Sequence, residues 1–490
     1  MNLSTARSEK RAKEVGIRKT VGSLRRQLIS QFLSESVLVS LMSYILAIVL
    51  VLCLLGFFNE MASKEMRFPW TKSGFWAISL FFTVLTGLIA GSYPAFYLSG
   101  FQPVKVLKGT FRVGRFAALP RKVLVVIQFT VSIALIIGTI IVFRQVQHAK
   151  SRPVGYTPEG LLTVMITTPE LGKNLDNIKQ ELTTAGAISA MGISSSPATG
   201  IWSNQIGFDW KGKDPNEIPL FGIVAVNHDF GKTIKWDIIA GRDFSPSFPT
   251  DTGAFILNEA AVKLTGLKNP VGEIIKWNDR QKPVVGVVKD MVMESPYSPV
   301  KPTIFFLDYN WKSVITMRIN PALSVKKALE KIEPVFKKFN PNAPFEYKFT
   351  DDDYAEKFSD EERIGNLATF FAILAIFISC LGLFGLASFV AEQKTKEIGV
   401  RKVLGASVTN VWQMLSRDFV VLVLISCAIA IPVAWYFLHG WLERYEYRTQ
   451  ISWWVFIVAI TGAMTITLLT ISFQAIKAGM ANPVRSLRSE

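Results

Sequence analysis

Glu397-Ile398-Gly399-Val400-Arg401-Lys402-Val403-Leu404-Gly405 recurs in near-copy at the start of the chain as Glu14-Val15-Gly16-Ile17-Arg18-Lys19-Thr20-Val21-Gly22. At a constant offset Glu14, Gly16, Arg18, Lys19 and Gly22 fall on Glu397, Gly399, Arg401, Lys402 and Gly405. The positions between are mostly exchanges among Val, Ile and Leu. A repeat sets the architecture before any local reading does. The register continues outward, with Lys13 on Lys396, Arg11 on Lys394 and Glu35 on Asp418. Farther on, Gln102-Pro103-Val104-Lys105-Val106-Leu107-Lys108 echoes Asn482-Pro483-Val484-Arg485-Ser486-Leu487-Arg488. Each copy reads as basic helix, apolar span, short loop, apolar span and basic Pro-Val tail.

Half of the 490 residues are hydrophobic and the net charge is +16. Several apolar runs exceed the roughly 18 residues that mark a membrane helix. Hydropathy predicts six spans: Phe32–Phe58, Phe75–Leu98, Val123–Phe143, Leu367–Val390, Phe419–Leu442 and Trp453–Phe473. The excess Lys and Arg sits beside these runs, which argues for the positive-inside rule and against nucleic acid as a partner. Residues 1–30, 99–122, 391–417 and the C-terminal tail are then cytoplasmic. The loops 59–72 and 443–452 and the segment 145–363 lie outside. Cys53, Cys380 and Cys427 all fall in apolar spans, so neither a disulfide framework nor a cysteine metal site is expected. Residues 1–30 contain no apolar signal-peptide core.

The long segment reads as a folded α/β domain. Leu161–Thr167 and Ala187–Ser194 are strand-like, and Leu175, Ile178 and Leu182 mark a helix between them. Trp236–Phe244 reads as strand then turn, and Leu257–Leu264 as a short helix stopped at Gly266. Strands follow at Val284–Val288, Ile304–Leu307 and Val314–Ile319. A longer helix carries Val325, Ala328, Leu329, Ile332 and Phe336 on one face, with Pro334 expected to kink or end it. Asp351-Asp352-Asp353 opens a polar helical stretch ahead of the fourth span.

Juxtamembrane Lys and Arg can fix topology and nothing more. That explains the charge of the repeated motif but not its recurring Glu and glycines. Such a segment can lie at the interface, with Val15, Ile17, Val21 and Val400, Val403, Leu404 toward lipid. Arg18, Lys19, Arg401 and Lys402 would then face a partner. Glu35 and Asp418 are ionisable groups at span entrances, hence candidates by default. Their shallow position favours pairing with water or a nearby arginine such as Arg417. Phe230-Gly231-Lys232-Thr233 resembles the end of a phosphate loop, but the glycine needed five residues earlier is Val226. His148, His228 and His439 do not pair at metal-ligand spacing. The Asp351–Asp353 run is explained by helix-start acids, and no Gly-x-Ser-x-Gly elbow occurs. No enzyme, cofactor or metal is expected.

The paired motif ahead of a span resembles the FtsX-like permease family of ABC transporters. So do Ile378-Ser379-Cys380-Leu381-Gly382-Leu383-Phe384-Gly385 and the basic Pro-Val tail. Gly241-Arg242-Asp243-Phe244, Leu257-Asn258-Glu259-Ala260-Ala261 and Val284-Val285-Gly286-Val287-Val288-Lys289-Asp290 resemble the periplasmic core domain of the MacB type. The resemblance implies an α-helical integral membrane protein with six spans and one α/β extracytoplasmic domain. It divides the chain into a partial first permease unit (1–121), span three (122–145), the external domain (146–363) and a second permease domain (364–490). The second is expected to carry a coupling helix at about 396–413. A longer relative with eight spans and two external domains is implied, which makes this chain look truncated at its N-terminus.

The implied function is the permease or mechanotransmission subunit of an ABC transporter in the bacterial inner membrane. A separate ATPase subunit, as a dimer, would press on the two basic motifs. The external domain would act on a cargo or a periplasmic adaptor. A non-transporting regulator or sensor scaffold of the same family is the alternative.

Overall fold

The computed structural model describes residues 12–99 and 119–480; both Pro-Val tails and the residues before Ala12 lie outside the described residues. The chain opens with helices α1 (Ala12–Thr20), α2 (Arg25–Ala62), α3 (Ser73–Ser99) and α4 (Leu119–Lys150). There follow β1 (Leu161–Met165), α5 (Pro169–Lys173), α6 (Leu175–Thr184), β2 (Ile188–Ser194), β3 (Ser203–Gln205), β4 (Asp209–Trp210) and β5 (Phe221–Val226). Next come α7 (Phe230–Ile234), β6 (Ile238–Gly241), β7 (Phe255–Asn258), α8 (Glu259–Thr265), β8 (Ile274–Trp277), β9 (Arg280–Val288), β10 (Thr303–Leu307) and β11 (Val314–Ile319). The last elements are α9 (Val325–Phe339), β12 (Lys348–Phe349), α10 (Thr350–Glu356), α11 (Ser359–Gln393), α12 (Thr395–Val403), α13 (Val408–Leu442) and α14 (Trp454–Met480). They form two compact units. One is Gln145–Asp360 with Leu442–Thr449, and the other is the rest of the chain.

In the helical unit, α2, α3, α4, α11, α13 and α14 are each long and apolar enough to cross a membrane. They are the six expected spans, each extended at one end or both. Between α2 and α3 the backbones nearly touch. A Cβ at Gly87 would lie 2.7 Å from the Val37 Cα, and one at Gly91 would lie 2.7 Å from the Ser36 hydroxyl. Small residues one turn apart permit this approach between membrane helices. Hydroxyls join the other helices. Ser132 and Ser379 meet at 3.0 Å between α4 and α11, and Ser426 of α13 donates to the Val126 carbonyl of α4 at 3.2 Å. Trp412 Nε1 donates to the Ser472 hydroxyl at 2.8 Å, tying α13 to α14.

In the α/β unit one mixed sheet runs β12-β1-β11-β2-β5-β10-β7-β9-β8-β4, with β3 on β5 and β6 on β9. Its centre is the parallel pair β5–β10, in which every residue is buried. Continuous apolar runs are what a strand covered on both faces requires. Helices α6 and α9 pack Ile178, Leu182, Ala328, Ile332 and Phe336 against β1, β2 and β11, as the periodicity predicts. Two expectations need correction. Leu257 and Asn258 end β7, so the short helix starts at Glu259, with the Asn258 side chain accepting from the Ala261 amide. Helix α9 runs through Pro334 to Phe339; the proline sits on the exposed face.

The motifs quoted for this domain are used up in holding it together. Gly241, with φ +71°, and Gly286 are cross-strand partners. A Cβ on Gly241 would meet the Val285 carbonyl at 2.3 Å, and one on Gly286 would meet the Arg242 carbonyl at 2.2 Å. Asp243 accepts from Trp236 Nε1 at 3.0 Å and from the Phe244 amide at 2.7 Å. Asn258 also accepts from the Thr303 amide and donates to the Lys301 carbonyl. Glu259 accepts from the Asp290 amide, while Asp290 accepts from the Ala260 amide.

Candidate functional site

The repeated motif folds the same way twice. Helices α1 and α12 each end on a Schellman turn. In the first copy the amides of Val21, Gly22 and Ser23 donate to the carbonyls of Ile17, Lys19 and Arg18 at 3.1, 3.2 and 3.0 Å. In the second, Leu404, Gly405 and Ala406 donate to Val400, Lys402 and Arg401 at 3.1, 3.0 and 2.9 Å. Such a turn places its glycine at positive φ, and Gly22 and Gly405 stand at +103° and +93°. The recurring final glycine is thus a stop signal.

A new helix then starts at the equivalent residues Arg25 and Val408 and runs on into a span. The caps differ: Gln27 accepts from the Leu24 amide in the first copy, and Ser407 accepts from the Asn410 amide in the second. These are the two halves of a capping box, one in each copy. The single coupling helix expected at about 396–413 is therefore two helices, Thr395–Val403 and one beginning at Val408, divided by Gly405.

Placing alanine at Gly405 meets no atom within 4 Å. Its cost is purely the left-handed backbone, about 1 kcal/mol. We expect Gly405→Asn to be better tolerated than Gly405→Val, read as amide-exchange protection of the last turn of α12; equal protection would contradict the assignment.

The same positions are buried and exposed in both copies. Val15 and Ile398 are 2% and 4% exposed, with Val15 packed on Leu28, Phe32 and Ala95. Ile17 and Val400 are both 49% exposed, and Val21 and Leu404 are 83% and 80% exposed at the turn. The apolar side expected to be shared by Val15, Ile17 and Val21 is thus split, one residue inward and two outward. Arg18 and Arg401 are exposed, and Lys19 and Lys402 half-buried. Burial, then the nearby Arg25 charge, holds the Lys19 ammonium below its usual value. Gly399 is buried; the side-chain surroundings of Glu14 and Gly16 lie outside the described residues.

The copies diverge in their polar contacts. In the first, Arg18 Nη1 donates to Gln31 Oε1 at 2.7 Å, and Gln31 Nε2 donates to Glu35 Oε1 at 3.0 Å. Glu35 is thereby linked to the basic helix by a glutamine that composition and charge do not single out. Met414 takes the place of Gln31 in the second copy. There Arg401 pairs with Glu397 at 2.7 Å along its own helix, and Asp418 lies 3.9 Å from Lys394 rather than pairing with Arg417.

Six long apolar helices, two of them entered through matching basic helices, define a multi-pass membrane protein. The family model described as FtsX-like permease C-terminal matches residues 1–103 and 369–483, in the membrane-spanning part of the chain. The macrolide export ATP-binding/permease protein MacB of Bdellovibrio bacteriovorus is 35% identical over 109 residues, which is 22% of this chain and 16% of that protein. The protein of the same name from Pasteurella multocida is 33% identical over 107 residues, with the same shares. The matching stretch thus spans under a fifth of the length of these curated relatives. The crystal structure of the periplasmic region of MacB from Actinobacillus actinomycetemcomitans aligns at 14% identity with a TM-score of 0.29, covering 41% of this chain and 93% of that one.

Proposed function

We propose that the chain is the permease subunit of an ABC transporter, coupled to a separate ATPase through α1 and α12. The observation that carries this reading is the repeated helix, Schellman turn and helix, with the same residues turned outward in each copy. A rigid turn joins each basic helix to the helix that becomes a span. A push on Arg18, Lys19 and Val21, or on Arg401, Lys402 and Leu404, would thus move α2 or α13 as a lever. The two basic helices would lie on the cytoplasmic side, with residues 145–363 outside, as the flanking charges direct. The external α/β domain is proposed to be of the MacB periplasmic-core type and to pass the motion to a cargo or adaptor.

The test is ATP hydrolysis by the chain purified from its own membranes together with its bound subunits. Arg401→Glu with Lys402→Glu is expected to lower stimulated hydrolysis at least about tenfold, equivalent to 1.4 kcal/mol of lost docking energy. Arg18→Glu with Lys19→Glu should act in the same direction. Unchanged stimulated hydrolysis in both double variants, or no associated ATPase at all, would refute the proposal.

A further inference from the structure

The α/β unit is not one contiguous piece of chain: Leu442–Thr449, from the connection between α13 and α14, belongs to it. The attachment centres on Gln145, in α4, which is 0% exposed. Its Nε2 donates to the Tyr447 carbonyl at 2.9 Å, and its Oε1 accepts from the Thr449 amide at 2.8 Å. The amide side chain thus pairs the loop backbone as a neighbouring strand would. The Tyr447 amide donates in turn to the Tyr297 carbonyl at 2.9 Å.

Side chains close the knot. The Tyr447 ring stacks on His148 at 4.5 Å and 5°, and the Arg152 guanidinium lies 4.5 Å from its centroid. Arg152 also donates to the Pro296 and Ser298 carbonyls at 2.9 and 2.7 Å. Tyr297 stands 5.1 Å from Tyr445 and 5.9 Å from Phe358, which is 1% exposed. Four stretches of chain meet here: the end of α4, the 296–298 loop, the entrance to α11, and the loop after α13.

We propose that Leu442–Thr449, the connection between α13 and α14, is permanently fastened as a part of the α/β unit, with Gln145 as its positioning residue. One continuous helix, α13, runs from just after the second basic turn to this fastening. The second basic motif therefore has a covalent route to the external domain additional to α4 and α11. This consequence rests on the coupling role proposed above; the fastening itself does not. A buried amide holding both sides of a loop backbone leaves that loop without freedom to open unless two hydrogen bonds break together.

The experiment is hydrogen exchange on the full chain in detergent, which requires no ATPase. The Thr449 amide is expected to exchange at least about tenfold more slowly than amides of the 64–72 loop. Gln145→Leu should remove that protection, and Gln145→Glu, which keeps the acceptor, should retain most of it. Wild-type exchange as fast as the 64–72 loop, or protection unmoved by Gln145→Leu, would overturn the fastening. A second arm joins Tyr297→Cys to Tyr445→Cys in a chain whose native cysteines are replaced. The cross-linked chain is expected to keep its stimulated ATP hydrolysis. Loss on cross-linking, restored by reduction, would overturn permanence. Should no ATPase associate, the exchange result still decides the fastening while the coupling reading fails on its own.

Discussion

Replacing Arg318 by methionine should cost the α/β unit about 3–5 kcal/mol, although the substitution keeps much of the side chain's apolar volume. Arg318 is 7% exposed on β11 and touches no carboxylate through its guanidinium hydrogen bonds. Nε donates to the Thr233 carbonyl at 2.7 Å, Nη1 to Glu159 at 2.9 Å and Nη2 to Thr157 at 2.8 Å. Burial, opposed by the Glu159 charge, lowers its pKa, which marks the desolvation this site imposes. The three bonds join α7 and the loop after α4 to the sheet. Methionine would leave three carbonyls short of a donor, each at about 1–3 kcal/mol before water or relaxation recovers part of it. Lysine can serve one or two of them but not the planar fork, so Arg318→Lys should also lose stability, by less. The measurement is thermal unfolding of the full chain in detergent, followed by protease protection of the α/β unit. Its midpoint should fall by roughly 10 °C for Arg318→Met. A fall under about 2 °C would mean that these carbonyls find other donors.

What could be read from the sequence follows the range over which each signal acts. The six spans and the face of α6 carrying Leu175, Ile178 and Leu182 are local periodicities, and they emerge where expected. The repeated motif was visible as a pattern, but the role of its last glycine was not. Gly405 reads as one residue of a single helix until its φ of +93° shows that the helix stops there. Strand β5 lies outside the expected strands although all of it is buried. Its short apolar run, broken by Gly222, has no period to separate strand from helix. Gln145 is harder still. A glutamine near the end of a span reads as polar and solvated. Only Tyr447 and Thr449, far along the chain, make it a buried backbone partner. The Gly241-Arg242-Asp243-Phe244 run could be mistaken for a ligand site; the structure spends each of its residues on local closure.

The arginine of that run gives the second large effect, and its size changes with pH. Asp251 is 0% exposed and accepts from Arg242 Nη1 and Nη2 at 2.6 and 2.7 Å and from the Ser245 amide at 3.0 Å. The Arg242 guanidinium also lies 3.8 Å from the centroid of Phe248. Burial alone would raise the carboxyl pKa of Asp251. The hydrogen bonds from Arg242 and Ser245 and the Arg242 charge outweigh it and hold the group below the usual range. Arg242 is 36% exposed as a side chain, so Asp251→Leu leaves a cation that water can reach, at about 2–3 kcal/mol. Arg242→Met leaves a carboxylate wholly inside, at about 3–5 kcal/mol near neutral pH. The smaller-looking change is thus expected to be the worse one.

In the wild type the folded pKa of Asp251 lies below its unfolded value of about 3.9, so its contribution is full above that pH and lost as pH falls through the folded pKa. In Arg242→Met burial prevails and the folded pKa rises above the unfolded one. That variant loses stability as pH climbs from about 4 toward its new pKa. The gap between the two proteins should therefore be widest near neutral pH and narrow toward about pH 4. Asp243 and Asp290, both raised chiefly by burial, titrate in both proteins and largely cancel in the difference. A gap that stays constant across that range would mean that Asp251 is not kept charged by Arg242.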